Sequence, residues 1–234
     1  MTDIFSYLSE RPYPGRGILL GTMPSGVSAC VYFIMGRSEN SRNRVFEKTE
    51  DGIRTRAADD ARMSDPSLII YHPVRRVECA EGTVNVVTNG DQTDTVRDFL
   101  ERGESWIEAL NTRVFEPDAP NWTPRVSGVA YPNGRYALSI LRAQNGQPNC
   151  CERHFYTYGA AVPGVAHFIS TYEGFGSPLP SFSGEPVCVA MQEMGASELA
   201  KALWSALNED NRVSLYVRVG EEETIVNRFV REEH

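Results

Sequence analysis

Strand-like runs dominate this chain, and their number is what most limits its fold. Residues 17–23 and 27–35 read as two strands joined by a Pro24-Ser25-Gly26 turn, a hairpin. Further strands are expected over 67–72, 83–88, 126–131, 135–141, 166–172 and 186–191. Residues 212–219 alternate, with Val213, Leu215, Val217 and Val219 on one face and Arg212, Ser214, Tyr216 and Arg218 on the other. Residues 224–230 then pair back across a Gly-Glu-Glu-Glu connection.

Helical spacing appears in two places. Val96, Phe99 and Leu100 follow the polar segment Asn89-Gly90-Asp91-Gln92-Thr93-Asp94, with Gly103 as a stop and a second piece through Trp106, Ile107 and Leu110. Ser197 is the expected N-cap of the other helix, with Glu198 in its first turn and a stripe of Leu199, Ala202, Leu203, Ala206 and Leu207. A chain with roughly ten strands and two or three helices must pack sheet on sheet, with helices on the outer faces. The expected class is α+β, a four-layer αββα sandwich. The 234 residues contain no repeat and no low-complexity linker, and the Pro-rich stretches 117–124 and 178–186 read as ordered loops. One domain over 1–234 follows.

The formal net charge of −8 disfavours general nucleic-acid binding, which needs phosphate neutralised over a wide surface. Within this acidic chain the first third is locally rich in arginine: Arg16, Arg37, Arg42, Arg44, Arg54, Arg56, Arg62, Arg75 and Arg76, with Lys48 the one lysine. Guanidinium forks suit small phosphates, and a solvated face of surface pairs is the plainer alternative. The five cysteines contain no C-x-x-C, and the scattered histidines contain no H-x-x-x-H, so neither a disulfide framework nor a metal site is expected. The opening residues lack a basic segment followed by an apolar one, and no apolar run reaches membrane-spanning length, which points to a cytosolic protein.

Four segments could carry chemistry. Gly36-Arg37-Ser38-Glu39-Asn40-Ser41-Arg42-Asn43-Arg44 packs many donors into one loop, as an anion site or as a self-paired polar hairpin. Residues 88–94 run from a strand into a helix, where free N–H groups favour an anion or a polar ring edge, although an Asn-Gly turn and a capped helix explain most of them. Asn121-Trp122-Thr123-Pro124-Arg125 leads into a strand. Thr171-Tyr172-Glu173-Gly174 puts a carboxylate at a strand end, a place for a general acid or base or for a plain turn. There is no G-x-x-x-x-G-K-[ST], G-x-G-x-x-G or G-x-S-x-G, so kinase, redox and α/β-hydrolase readings have no support.

In this order the segments resemble the stand-alone IMP cyclohydrolase family best known from archaea. Tyr13-Pro14-Gly15-Arg16 before Gly17–Gly21 is similar to its opening, and Arg37-Ser38 with Asn43-Arg44 to its Arg-Ser…Asn-Arg loop. Residues 89–94, Thr123-Pro124-Arg125 and Tyr172-Glu173-Gly174 resemble later motifs; nothing after about Pro178 matches. The resemblance implies an Ntn-hydrolase-like fold without autoproteolysis, since Thr2 and Ser6 precede the first strand. It implies a purine ribonucleotide as substrate and product, dehydrative ring closure to inosine monophosphate, no cofactor and no metal. A homo-oligomer is compatible with it.

The resemblance also implies roles. A phosphate site is expected from Arg37, Ser38 and either Arg42 or Arg44, assisted by Arg16, with Asn43, Gly90 and Thr123 also in the substrate-binding set. Asn89, the backbone at Gly90–Asp91 and Arg125 are expected to stabilise the formyl oxygen. Glu173 is the first choice for proton transfer, with Asp91 and Tyr71 as alternatives. Two other classes stay open: an amidohydrolase on the same fold with a Cys or Ser nucleophile, and a nucleotide-binding protein without turnover.

Overall fold

The computed structural model describes residues 1–63, 66 and 69–230. In chain order it contains α1 (Ile4–Ser9), β1 (Arg16–Thr22), β2 (Ser28–Met35), α2 (Glu39–Arg42), β3 (Val45–Lys48), β4 (Gly52–Arg56), β5 (Val74–Cys79), β6 (Gly82–Thr88), α3 (Gln92–Glu101), α4 (Trp106–Asn111), β7 (Arg125–Ala130), β8 (Tyr136–Gln144), β9 (Gln147–Tyr158), β10 (Val165–Ser170), β11 (Val187–Ala190), α5 (Ala196–Ala206), β12 (Arg212–Val219) and β13 (Glu222–Asn227). Two sheets result, one ordered β11-β10-β1-β2-β12-β13 and the other β3-β4-β5-β6-β7-β8-β9. All strand pairings within them are antiparallel. The class is α+β.

Three apolar clusters explain why these elements pack as they do. Ile18, Leu20, Tyr32 and Ile34 of the first sheet meet Val87, Val126, Leu138 and Ile140 of the second. The opposite side of the first sheet, through Leu19, Val31, Phe33, Leu215 and Val217, buries Ile4 and Leu8 of α1 and Leu199 and Leu203 of α5. The opposite side of the second sheet, through Val77, Val84, Val86 and Val129, buries Val96 and Leu100 of α3 and Trp106 and Leu110 of α4. Each large apolar side chain buried this way contributes roughly 1.5–3 kcal/mol. The sheets approach closely where Gly128 faces Leu20; a Cβ there would stand 2.8 Å from Leu20 Cδ1.

Differences from expectation have local causes. A bulge between Arg212 and Ser214 turns Val213 away from Leu215 and into the inter-sheet core. The α5 N-cap is Gly195, not Ser197, which lies inside the helix. Asp3 caps the short α1 through the Phe5 and Ser6 amides. Of the strand expected over 67–72, residues 67 and 68 lie outside the described residues, and 69–72 form a turn whose Tyr71 amide donates to Thr55 Oγ1 at 2.9 Å. Among the described residues no helix is long and apolar enough to cross a membrane.

Candidate active site

One end of the two sheets gathers the polar residues. β1 and β7 begin there with Arg16 and Arg125, β2 and β6 run out into the Arg-rich loop and Asn89, and β10 runs out into Tyr172. Arg16 shares the inward face of β1 with Ile18 and Leu20, so its guanidinium enters the space between the sheets. Its Nη2 stands 3.8 Å from Glu116 Oε2. Glu116 is only 2 % exposed. Burial pushes its carboxyl above the ordinary range, against the opposing pull of Arg16, Arg125 and Arg44.

The Arg-rich loop sorts its own side chains. Ser38 caps α2, its hydroxyl accepting from the Ser41 amide at 3.1 Å. Arg42 turns outward, Nε donating to the Gly36 carbonyl at 2.9 Å and Nη2 reaching Asn211 Oδ1 at 3.4 Å. Asn43 clamps the Asp59 backbone in both directions, each bond 2.8 Å. That clamp precedes Arg44, whose side chain is fully buried at 0 % exposure. Arg44 Nε donates to the Ser41 carbonyl at 2.8 Å, while Nη1 and Nη2 have no hydrogen-bond partner among the described residues. Burial first, then the charge of Arg16, disfavours the charged form of Arg44. Arg37 is exposed above the Tyr13 ring, 5.0 Å from its centroid.

The second sheet contributes a braced set. The Asn89 amide nitrogen donates to the Pro124 carbonyl at 2.9 Å and approaches Glu116 Oε1 at 3.4 Å. Its oxygen accepts from Gln92 Nε2 at 3.0 Å and the Val126 amide at 2.8 Å. Asn89 is thereby fully occupied in holding its neighbours. Arg125 Nη1 lies 2.5 Å from Gln92 Oε1 and 2.8 Å from Asp91 Oδ1, and its buried Nε is unpaired. Gly90 lies directly under this guanidinium: a Cβ would stand 2.4 Å from Arg125 Nη1. Asp91 also bonds Arg113. Its partial burial pushes its carboxyl up, but Arg125 and Arg113 outweigh this and hold it below the usual range. The Tyr71 hydroxyl lies 2.8 Å from that of Tyr32, and Thr123 Oγ1 2.5 Å from the Tyr172 hydroxyl.

Of the residues expected from sequence, Arg16, Arg44, Tyr71, Asn89, Gly90, Thr123 and Arg125 therefore converge. Asp91 and Asn43 brace the rim, and Arg37, Ser38 and Arg42 stay outside the buried cluster. Glu173 is exposed, with its Oε1 accepting from the Ser183 amide at 3.0 Å and bonding the Ser183 hydroxyl. Sequence reasoning missed Glu116, which sits immediately before the stretch read as a Pro-rich loop. Its only signal is proximity to the Asn121–Arg125 segment.

Cysteines take no part in the cluster. Cys30 is buried and its thiol is pushed up to about 12 by desolvation, Cys79, Cys150 and Cys151 are partly exposed, and Cys188 is exposed. Thr2 is bridged to Val189, and Ser6 lies in α1. Among the described residues no group of three or more His, Cys, Asp and Glu side chains is placed to hold a metal ion. A surface groove of about 610 Å³ lined by Glu39, Arg42, Asn43, Asp59, Arg62 and Phe229 lies beside the loop, but none of the unpaired guanidinium nitrogens lines it.

Three buried guanidinium groups, Arg16, Arg44 and Arg125, with nitrogens that lack a hydrogen-bond partner among the described residues, set against one buried carboxyl group, form a site that an anionic ligand would complete, since an unpaired buried charge is costly. The carboxylate beside it can exchange a proton there. In charge and polarity this end of the fold suits a small, polar, anionic molecule. A family model described as IMP cyclohydrolase-like protein matches residues 13–224, and the chain belongs to that family. It is 36 % identical over 150 residues to the IMP cyclohydrolase of Methanopyrus kandleri, an alignment covering 58 % of this chain and 71 % of that protein. It is 30 % identical over 135 residues to the IMP cyclohydrolase of Halobacterium salinarum, covering 56 % of this chain and 63 % of that protein.

Proposed function

We propose that this chain is an IMP cyclohydrolase, closing 5-formamidoimidazole-4-carboxamide ribonucleotide to inosine monophosphate with loss of water, as one cytosolic domain. The observation that carries the proposal is the Arg16–Glu116 pair beside the unpaired nitrogens of Arg44. Two sheets with helices packed against both outer sides support the finer reading of an Ntn-hydrolase-like αββα sandwich.

The carboxamide nitrogen must attack the formyl carbon of the same molecule. Selecting the conformer in which these groups meet is the first contribution, and an enzyme achieves it by holding both ends of the substrate. Arg44 is assigned to the phosphate, with Arg37 at the mouth; Arg44 rather than Arg42 is preferred because only its terminal nitrogens are free and buried. Arg16 and Arg125 stabilise the developing charge on the formyl oxygen. Asn89 is assigned to holding Glu116 and Gln92 rather than to the substrate.

Glu116 is preferred over Glu173 for proton transfer. Its raised carboxyl can give a proton to the formyl oxygen as the C–N bond forms, leaving a carbinol. The formamide N–H then loses its proton and the hydroxyl leaves as water. One proton of that water comes from the carboxamide and one from the formamide, so no oxidant or reductant is consumed. The presence of such a group favours turnover over mere binding. An amidohydrolase with a cysteine nucleophile is disfavoured because the cysteine thiols that hydrogen-bond do so to Gly82, Gln144 and Glu152, outside the cluster. Conversion of the formylated ribonucleotide, followed as inosine monophosphate by absorbance, tests the proposal; a rate no higher than the uncatalysed one defeats it.

A further inference from the structure

Tyr172 links the buried cluster to a carboxylate nearer the surface, and the link has a direction. Its hydroxyl lies 2.5 Å from Thr123 Oγ1. Thr123 Oγ1 in turn bonds Asp118 Oδ2, while the Thr123 amide donates to Asp118 Oδ1 at 2.6 Å. Tyr172 and Thr123 are buried and Asp118 is partly exposed. The ring of Tyr172 is stacked on Tyr13, with centroids 6.0 Å apart, and its partner Thr123 is tied to the cluster by its carbonyl, which accepts from the Glu116 amide at 2.9 Å.

An ionised carboxylate only accepts hydrogen bonds. The one Thr123 hydroxyl proton therefore goes to Asp118, and Thr123 Oγ1 receives the proton of Tyr172. The Tyr172 oxygen is left with its lone pair toward the cluster. Burial, which raises the pKa of this phenol above its usual range, keeps it neutral in that role.

Resting on the cyclohydrolase reading, we propose that Asp118 and Thr123 are positioning residues that make the Tyr172 hydroxyl the acceptor of the carboxamide proton. As the nitrogen attacks, its proton passes to Tyr172 Oη, the Tyr172 proton to Thr123 Oγ1 and the Thr123 proton to Asp118. Three X–H bonds break and three O–H bonds form, while the formyl oxygen takes its proton from Glu116. In the dehydration step the chain runs in reverse, delivering a proton to the departing hydroxyl, and Glu116 regains one from the formamide nitrogen. Both carboxyl groups end as they began.

Asp118→Asn tests the direction, because the asparagine oxygen still serves the Thr123 amide while its NH₂ donates to Thr123 Oγ1. That reverses the chain and points the Tyr172 proton at the substrate. The expected result is a kcat about 100-fold lower or more, with inosine monophosphate binding weakened less than about tenfold. Thr123→Val should match that loss and Thr123→Ser should restore kcat to within about threefold of the unsubstituted protein, and the double variant should be no slower than either single one. Turnover of Asp118→Asn within about threefold of the unsubstituted protein overturns the proposal while leaving the cyclohydrolase reading intact. The hydroxyl protons read the chain without turnover: NMR should show the Thr123 proton directed at Asp118 and the Tyr172 proton at Thr123. A Tyr172 proton directed away from Thr123 overturns the chain whether or not the ribonucleotide is converted.

Discussion

Arg16 and Glu116, both buried, face each other at 3.8 Å, an ion pair too long to be a hydrogen bond. A carboxyl so placed is held in position by its charge partner yet keeps a proton more readily than an exposed one. Glu116→Gln should lower kcat by about 100- to 10,000-fold and leave inosine monophosphate binding within a few-fold. Glu173→Gln, whose carboxylate is bonded to Ser183, should keep most of its turnover. Steady-state kinetics and ligand titration of the two variants check this.

The same carboxyl sets a pH dependence. Its folded value lies above the ordinary 4.5, so between the two the folded chain binds more protons than the unfolded one. Stability from this group is fully present below the ordinary value and is lost as pH rises through the folded value. Turnover that needs the acid form should fall over the upper part of the same window. In Glu116→Gln, denaturant titrations across pH should lack that component of the slope.

Arg44 separates binding from folding. Arg44→Met removes a buried charge with two unpaired nitrogens, so the ligand-free protein should gain about 1 kcal/mol or more. The variant should bind inosine monophosphate at least about tenfold more weakly while binding inosine as before. Arg42→Ala should instead loosen the loop held to Gly36 and Asn211 with a smaller effect on affinity. Thermal melts with and without nucleotide read both quantities.

Gly90→Ala should move the Arg125 guanidinium without unfolding the chain, because the atoms its Cβ meets, Arg125 Nη1 and Gln92 Oε1, are ends of side chains. A kcat loss of about tenfold or more is expected, with the melting temperature little changed. Arg125→Lys should also lose turnover, since lysine has no counterpart of the buried Nε that lacks a partner among the described residues.

Much of the fold was legible because buried strands carry strong apolar patterns: the β1–β2 hairpin and β12 announce themselves. β3, β4 and β5 do not, since their outward positions hold Glu47, Arg54, Arg56 and Arg75, and only Phe46, Ile53 and Val74 mark the inter-sheet core side. β9 carries polar residues along most of its length because it is an edge strand. The site was half legible. Arg16, Asn89 and Arg125 sit at strand ends, where sequence patterns place them. Whether Arg42 or Arg44 turns inward depends on the Asn43–Asp59 clamp, and Glu116 lies in an irregular loop without periodicity.

Every role proposed for this chain depends on ring closure at the Arg16–Glu116 end. Purified protein incubated with 5-formamidoimidazole-4-carboxamide ribonucleotide, with and without a metal chelator, tests it most directly by the absorbance of inosine monophosphate. The expected result is product well above the uncatalysed rate, unchanged by the chelator and slowed about 100-fold or more in Glu116→Gln. Product no faster than the uncatalysed reaction would contradict it.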